Sequence, residues 1–564
     1  MAYNLGSDLL HLPDSLKVDS RLLVGSDKTV EIRRGADNYT INRQSASALS
    51  NGQIIWNVVL NNPANTLIDS YMWAEIFFTC TISATGLSEL VQTYLENNIA
   101  FRQYPLASIT NTSTVTLNNQ SVSTNPLQWI HSLSWFQPHF ADKASTQSIT
   151  PIFPDKAQTY NQMAGTNLSP LASYFSNAEF YADPRGIFVA DWNTIATSDT
   201  AWTFIGVIRE PIINGLLEYN PAVRREALPF INNFNIQLLF ANNISRIFSI
   251  DTVTCPAITN VAVNFNSANL VMQWLTAPTN QMLPPRALRS FSTIVSQSTN
   301  SGVPVAPNSP PVQIVSQTYS FNQIPKKIWI YINNGQASDV VNGYGQTDTF
   351  FSIQNLNVLF NNRQSLLGNY TAADLYNNLC ADAGCRITYQ ESQYFVGSVL
   401  ELDPVVHFGL QQDQTSGMLG VFNFQVTATC TNIHPTATIT PVIWVTTANE
   451  SIMQTTSESI SNLIQGYITQ QDVIAANSLP ASPSLFAEHD IYGAGIFDTI
   501  KSGLSSIFEN VIKPLRESKI LSTVGSLIPH PGIQRAAQIG RTLGFGGRYT
   551  PRREMEGYYE SLVH

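Results

Sequence analysis

The sequence predicts an all-β chain of two similar sandwich or barrel domains in tandem, followed by an amphipathic helical tail. Three observations carry that prediction: recurrent period-two alternation of apolar residues, a set of landmarks that occurs twice in the same order, and a change of character after about residue 450. A strand sends successive side chains to opposite faces, so a half-buried strand must alternate apolar with polar residues.

Taken in order, Ile54, Trp56, Val58 and Leu60 line one face of a first strand, and Ile76, Phe78, Cys80 and Ile82 line a second. Phe234, Ile236, Leu238 and Phe240 alternate with Asn235 and Gln237 in a third. Ile328, Ile330 and Ile332 then stand against Trp329 and Tyr331, followed by Leu356, Val358 and Phe360, and by Phe422, Phe424, Val426, Ala428 and Cys430. Helical periodicity here is confined to short pieces. PLQWIHSLSWF has Pro126 at a first helical position, and TAADLYNNL starts on Thr371 as a cap. Many short strands with Pro, Gly and Asn between them read as sandwiches or barrels.

The two halves repeat. Val115-Thr-Leu-Asn-Asn-Gln-Ser resembles Val358-Leu-Phe-Asn-Asn-Arg-Gln-Ser, and each precedes one of the short helices. Further on, Phe234-Asn-Ile-Gln-Leu resembles Phe422-Asn-Phe-Gln-Val, so the first copy carries 55 more residues between its landmarks. The excursion is expected within residues 137–225, where Pro138, Pro151, Pro154, Pro170 and Pro184 punctuate the chain. The expected division is an N-terminal arm (1–50), a first domain (51–255), a second domain (256–450), a linker (451–494) and the tail (495–564).

In the tail, GIFDTIKSGLSSIFENVIK places Ile496, Phe497, Ile500, Leu504, Ile507, Phe508 and Val511 at three- and four-residue spacings, one apolar stripe on a helix that Pro514 is expected to end or kink. Between Lys513 and Arg553, eight basic residues face one acid: Lys513, Arg516, Lys519, Arg535, Arg541, Arg548, Arg552 and Arg553 against Glu517.

Composition bounds the function. The 564 residues suffice for about four ordinary domains or two large β domains, with a core that needs no staples. Charged residues make up 12%, about half the usual share, beside an ordinary hydrophobic fraction of 43% and a net charge of −10. Disorder, coiled coil and a nucleic-acid binder basic along its whole length are excluded, because each needs more charge or fewer apolar residues. The surface must be largely Asn, Gln, Ser and Thr, which suits contact with other protein. Cys80, Cys255, Cys380, Cys385 and Cys430 are sparse and odd in number, and are expected as reduced thiols rather than a disulfide framework or a zinc site. The start of the chain lacks the basic and apolar regions of a signal peptide, and no window is apolar enough to span a bilayer.

No catalytic or cofactor motif emerges. There is no phosphate-binding loop, nucleophile elbow, zinc-binding His-Glu-x-x-His or dinucleotide fingerprint, and Gly544-Phe-Gly-Gly follows no strand. No two histidines are closer than His131 and His139, too far apart for a two-histidine metal strand. Glu401 and Asp403 share one face of VGSVLEL, but a surface position or strand end accounts for them better than paired-carboxylate catalysis. The expectation is no catalytic residue, no cofactor and no metal.

With strands, duplication and tail in hand, the chain resembles the double jelly-roll major capsid proteins of the adenovirus lineage, most nearly those of virophages and polinton-like viruses. The stretches that carry the resemblance are QYPLASITNTSTVTLNNQSV from Gln103, IPKKIWIYI from Ile324, TDTFFSIQNLNVLFNNRQSLL from Thr347 and GLQQDQTSGMLGVFNFQVTATCTN from Gly409. The resemblance spans roughly residues 50–450 and implies two jelly-roll barrels per chain. It further implies homotrimers acting as pseudo-hexameric capsomers, and an icosahedral shell around double-stranded DNA that also contains penton and minor capsid proteins. The location implied is the virion, assembled inside the host cell.

Within that family, Ile491-Tyr-Gly-Ala-Gly495 matches the pattern cut by adenovirus-type maturation proteases, with the scissile bond between Ala494 and Gly495. The other reading is a flexible hinge. Three roles for the tail stay open: contact with packaged DNA through its eight basic residues, action of the amphipathic helix on a host membrane, or docking on its own capsomer. Two other classes compete with the capsid reading. One is a β-sandwich glycan-binding or attachment protein, with Trp129, Trp135, Trp192 and Trp202 stacking on sugars; the other is a glycan-processing enzyme, which needs convergent carboxylates.

Overall fold

The computed structural model describes residues 38–465 except 61–65, 96–98, 137–192, 218–226, 251–256, 277–285, 308, 336–350, 362, 365, 386–387, 395–396, 411–413, 435–437 and 457–461. The amphipathic segment from Gly495, the Ala494–Gly495 bond and the eight basic tail residues lie outside the described residues, as does Cys255.

The first barrel contains, in chain order, β1 (Asn38–Ser45), β2 (Ala48–Leu49), β3 (Gln53–Val59), β4 (Thr66–Asp69), β5 (Trp73–Ala84), β6 (Ile99–Phe101), β7 (Thr110–Leu117), β8 (Gln120–Thr124) and helix α1 (Pro126–Leu133). It continues through β9 (Asn193–Thr197), β10 (Ala201–Pro211), β11 (Ala227–Leu228), β12 (Asn233–Phe240), β13 (Phe248–Ile250) and β14 (Ile258–Thr276). One sheet runs β11-β4-β14-β5-β10-β9 with β1 also against β14, and the other runs β2-β3-β12-β7-β8.

The second barrel contains β15 (Arg286–Asn300), β16 (Val312–Val315), β17 (Tyr319–Gln323), β18 (Lys327–Asn333), β19 (Phe351–Phe360), β20 (Arg363–Gln364), helix α2 (Ala372–Tyr376), β21 (Val399–Leu402), helix α3 (Pro404–His407), β22 (Leu419–Asn432), β23 (Val442–Thr456) and β24 (Asn462–Gln465). Its sheets run β15-β23-β18-β21, with β24 beside β23, and β16-β22-β19-β20, with β17 beside β22. Both barrels fall within one compact unit; a second unit comprises residues 410–419 and 468–564, of which residues 410 and 414–419 are described.

The alternating residues point inward as expected. Ile54, Trp56, Ile76, Phe78, Cys80, Ile82 and Ile236 are fully buried in the first core, and Leu356, Val358, Phe424, Val426, Ala428 and Cys430 in the second. In the first core, Phe101 stacks on Phe248 at 5.7 Å and Phe78 meets both edge-on. Both short helices form where their caps put them. Pro126 opens α1, and Thr371 caps α2 in a reciprocal pair with Asp374, whose carboxyl accepts the Thr371 N–H at 2.9 Å.

The duplication has a shared physical device. Asn118 and Asn119 turn the β7–β8 hairpin with positive φ of 43° and 73°, the left-handed pair that fits the twist of a two-residue hairpin. The Asn118 N–H donates to Asn233 O, and its side-chain oxygen accepts from the N–H groups of Asn232 and Asn233. Asn361, at φ 48°, repeats this clamp against Asn423: its N–H donates to Asn423 O at 2.9 Å, and its side chain accepts the Asn423 N–H at 2.8 Å. Strand register also corrects the sequence match. Leu117 faces Phe234 and Phe360 faces Phe424, so Phe234 corresponds to Phe424, two residues beyond the Phe422 of the sequence alignment. A slip of two keeps every side chain on its face, so periodicity alone cannot detect it.

Three boundaries move. β1 and β2 are strands inside the expected N-terminal arm, and β14 pairs with β5 and β4, so the first barrel extends past 255 to Thr276. β23 and β24 carry the second barrel past 450 to Gln465. The excursion placed at 137–225 includes β9 and β10, which are strands of the first sheet; residues 137–192 and 218–226 are outside the described set.

Replacing Asn118 with Ala leaves two backbone N–H groups and the Phe230 carbonyl without their partner and keeps a positive φ without an asparagine to favour it. The expected loss is about 2–4 kcal/mol in urea-unfolding free energy. Asn361→Ala, which removes the side-chain acceptor of one backbone N–H, that of Asn423, is expected to cost about half as much.

Candidate functional site at the barrel seam and outer sheet face

Strand β18 was expected to bury one face. It buries both: Ile328, Ile330 and Ile332 point into the second barrel, while Tyr331 is fully buried and Trp329 is 8% exposed on the opposite side. That opposite side is the seam with the first barrel. Trp329 and Ala448 pack with Tyr104, Ala107, Trp129, Ile130, Leu133 and Ile213, and Tyr331 and Trp444 pack with Phe136. Fully burying a side chain of this size contributes about 1.5–3 kcal/mol.

Three seam tryptophans and one tyrosine place their polar tips on named acceptors. Trp329 Nε1 donates to Glu401 at 2.7 Å, Trp444 Nε1 to Asn333 Oδ1 at 2.8 Å, and Trp129 Nε1 to Thr124 Oγ1 at 3.2 Å. Thr124 donates across the seam to Ile294 O at 3.2 Å, and the Tyr331 hydroxyl donates to Gln128 O. The two barrels also approach closely at Gly215, where an added Cβ would stand 2.4 Å from Ser292 O. Asn214 fixes that loop by donating to the carbonyls of Ser113 and Val122, both at 3.1 Å.

Buried charge is paired or held. Glu401, expected at the surface or at a strand end, stands next to the end of β21, is 7% exposed and accepts from both Lys327 and Trp329; Asp403 caps α3, accepting the Val405 N–H at 2.8 Å. The two carboxylates are thus engaged by separate sets of partners. Glu210, at the end of β10, is 1% exposed and accepts the N–H groups of Leu106 and Ala107 at 2.7 and 2.8 Å. It thereby holds the loop that presents Tyr104 and Ala107 to the seam. Burial pushes the Glu210 carboxyl up to about 8, and the two N–H bonds offset only part of that.

The outer face of the first barrel is largely uncharged. Along β5, β10 and β14 it presents Phe77, Ile205, Thr79, Thr81, Thr203, Asn264 and Asn266, with one ion pair, Arg209 to Glu75 at 2.6 Å, at its end. Phe77 and Ile205 are 37% and 39% exposed in the middle of that face. Among the described residues no three His, Cys, Asp or Glu side chains group as a metal site, and no helix is long and apolar enough to cross a membrane. The sugar-stacking alternative loses two of its four tryptophans: Trp129 and Trp202 are 2% and 0% exposed, in the seam and the first core, while the Trp135 side chain and Trp192 lie outside the described set.

Two family models divide the chain at this seam. "Sputnik virophage major capsid protein 1st domain" matches residues 14–275, and "Major capsid protein V20 C-terminal domain" matches residues 291–451. The capsid protein V20 of Sputnik virophage is 26% identical, over 94% of this chain and 92% of that protein. The chain is a homologue of the Sputnik virophage major capsid protein. The cryo-EM structure of Sputnik virophage superposes with a TM-score of 0.75 at 22% identity, covering 85% of this chain and 98% of the other. The crystal structure of the mavirus major capsid protein gives 0.65 at 13% identity, covering 83% and 98%. The fold is therefore the double jelly roll of virophage capsid proteins, and each barrel described above is one jelly roll.

The seam generates a pH prediction. Glu210 is held above its ordinary value of 4.5, so the folded chain binds a proton that the unfolded chain has released between pH 4.5 and about 8. Stability conferred by that proton is present below 4.5 and lost as pH rises towards 8. The wild-type melting temperature is expected to fall across this window, and Glu210→Gln, although less stable at low pH, is expected to flatten the fall.

Proposed function

We infer that this chain is the major capsid protein of a virus particle, located in the virion, with copies of itself as its principal partner. The observation that carries the reading is the match of both jelly rolls, each by its own half of the virophage capsid protein. The near-uncharged outer sheet face fits it: neighbours can pack there without stranding charges, whose desolvation costs several kcal/mol each. The function then lies in interfaces, and the reading assigns the chain no catalytic step.

At finer grain, we propose that three chains form a homotrimer whose six jelly rolls approximate a hexagon, and that these capsomers tile an icosahedral shell around double-stranded DNA with penton and minor capsid proteins as further partners. The tail is proposed to be released by cleavage between Ala494 and Gly495, or, if retained, to place Lys513, Arg516, Lys519, Arg535, Arg541, Arg548, Arg552 and Arg553 against packaged DNA, a sequence-independent phosphate contact. Its amphipathic segment is also suited to an anionic host membrane.

Native mass spectrometry and negative-stain imaging of the recombinant chain test the assembly. Three copies of the 62.2 kDa chain in hexagonal particles are expected, with and without residues 495–564. A folded monomer at all concentrations contradicts the proposal. Intact mass of the chain from particles decides the tail: a product ending at Ala494 is expected, and full-length chain alone removes the cleavage.

A further inference from the structure

Two cysteines meet beside the seam. After α2 the helix closes in a wide turn, Asn377–Ala381, and the Cys385 N–H donates to the Cys380 carbonyl at 2.9 Å. Gly384 makes the closure, at φ +85°, with nothing within 4 Å of where a Cβ would stand; the position needs glycine's backbone freedom, not its small size. Such a six-residue closure brings its first and last α-carbons into the range a disulfide spans, about 4.4–6.8 Å. The side chains converge as well. Cys380 is 1% exposed in the cluster of Tyr331, Val399, Val442 and Trp444, and Cys385, partly exposed, packs against the same cluster.

We propose that Cys380 and Cys385 form a redox modification site, a dithiol that a low-molecular-weight disulfide converts to an intramolecular disulfide. The two thiols have different parts. Cys385 is the accessible member and attacks first: its thiolate displaces one thiolate from the small disulfide and forms a mixed disulfide. Cys380 is buried, hydrogen-bonded to Cys385 and close to the Glu401 carboxylate, all of which raise its thiol above the ordinary value. It is therefore the resolving member. It loses its proton to the departing thiolate and attacks the Cys385 sulfur, releasing a second small thiol. The protein loses two electrons and two protons, and the small disulfide becomes two thiols. The product staples the turn that carries Cys380, next to Tyr331 and Trp444. Cys80 and Cys430 are free and fully buried in the two separate barrel cores, away from solvent.

Trypsin isolates the site, because the sequence holds no Lys or Arg between Arg363 and Arg386, and the peptide Gln364–Arg386 carries both cysteines and no others. Full-length protein is equilibrated in glutathione buffers of increasing oxidised fraction, quenched in acid, alkylated after denaturation, digested and weighed. The expected result is a peptide lighter than its dithiol form by two hydrogens, with neither cysteine alkylated, that rises with the oxidised fraction and reverts in dithiothreitol. The Cys385→Ser chain is expected to leave Cys380 alkylated at every ratio. A wild-type peptide that is doubly alkylated throughout, or that carries glutathione on Cys385 with Cys380 alkylated, overturns the proposal.

Discussion

The double burial of β18 is the constraint on which the rest of the structure depends. A strand with a wet face tolerates polar residues at alternate positions, but between Ile328 and Ile332 this one has none. The second jelly roll cannot close its sheet without presenting Trp329 and Tyr331, and the first cannot leave α1 and the Tyr104 loop uncovered. Each barrel completes the other's surface. The polar atoms of the seam suit that burial: a buried tryptophan N–H usually finds an acceptor, and Glu401 and Asn333 accept those of Trp329 and Trp444. A carboxylate there needs a cation in turn, and Lys327 supplies it.

The same logic places the buried acids. Glu210 holds a seam loop from inside the first barrel, Glu401 serves the second, and the outer face of β5, β10 and β14 keeps one ion pair at its end. In a chain with 12% charged residues, Glu75, Glu210 and Glu401 are buried and held, while the outer face of β5, β10 and β14 is left largely to Asn, Thr and isolated apolar groups. For a capsid protein this is physically coherent, since copies must meet repeatedly without paired charges at every contact.

Much of this was legible in the sequence. Alternation located the core strands because period two is imposed by the backbone, and it named the buried residues of β3, β5, β12, β19 and β22. The repeated Asn-Asn marked the duplication, and the structure adds why it recurs: Asn118 and Asn361 accept a left-handed turn and bond the neighbouring strand's backbone. The two-residue slip between Phe422 and Phe424 was invisible because it changes no face. The seam was missed for a related reason: Trp329 and Tyr331 occupied the positions a polar face would take, and their aromatic character was the one signal that a second surface covers them. The boundaries at 255 and 450 failed because β14 and β23 belong to the barrels that precede them by pairing, not by composition. The burial of Glu401 was not legible, because its partners Lys327 and Trp329 are distant in sequence.

The most direct test of the account is calorimetry on the wild-type chain and Gly215→Ala, whose new methyl would sit 2.4 Å from Ser292 O and wedge the seam. Barrels that complete each other melt in one transition in the wild type, and the wedge lowers that transition and separates it into two. Two independent transitions in the wild type, unmoved by the substitution, would contradict the claim that the seam makes them one body.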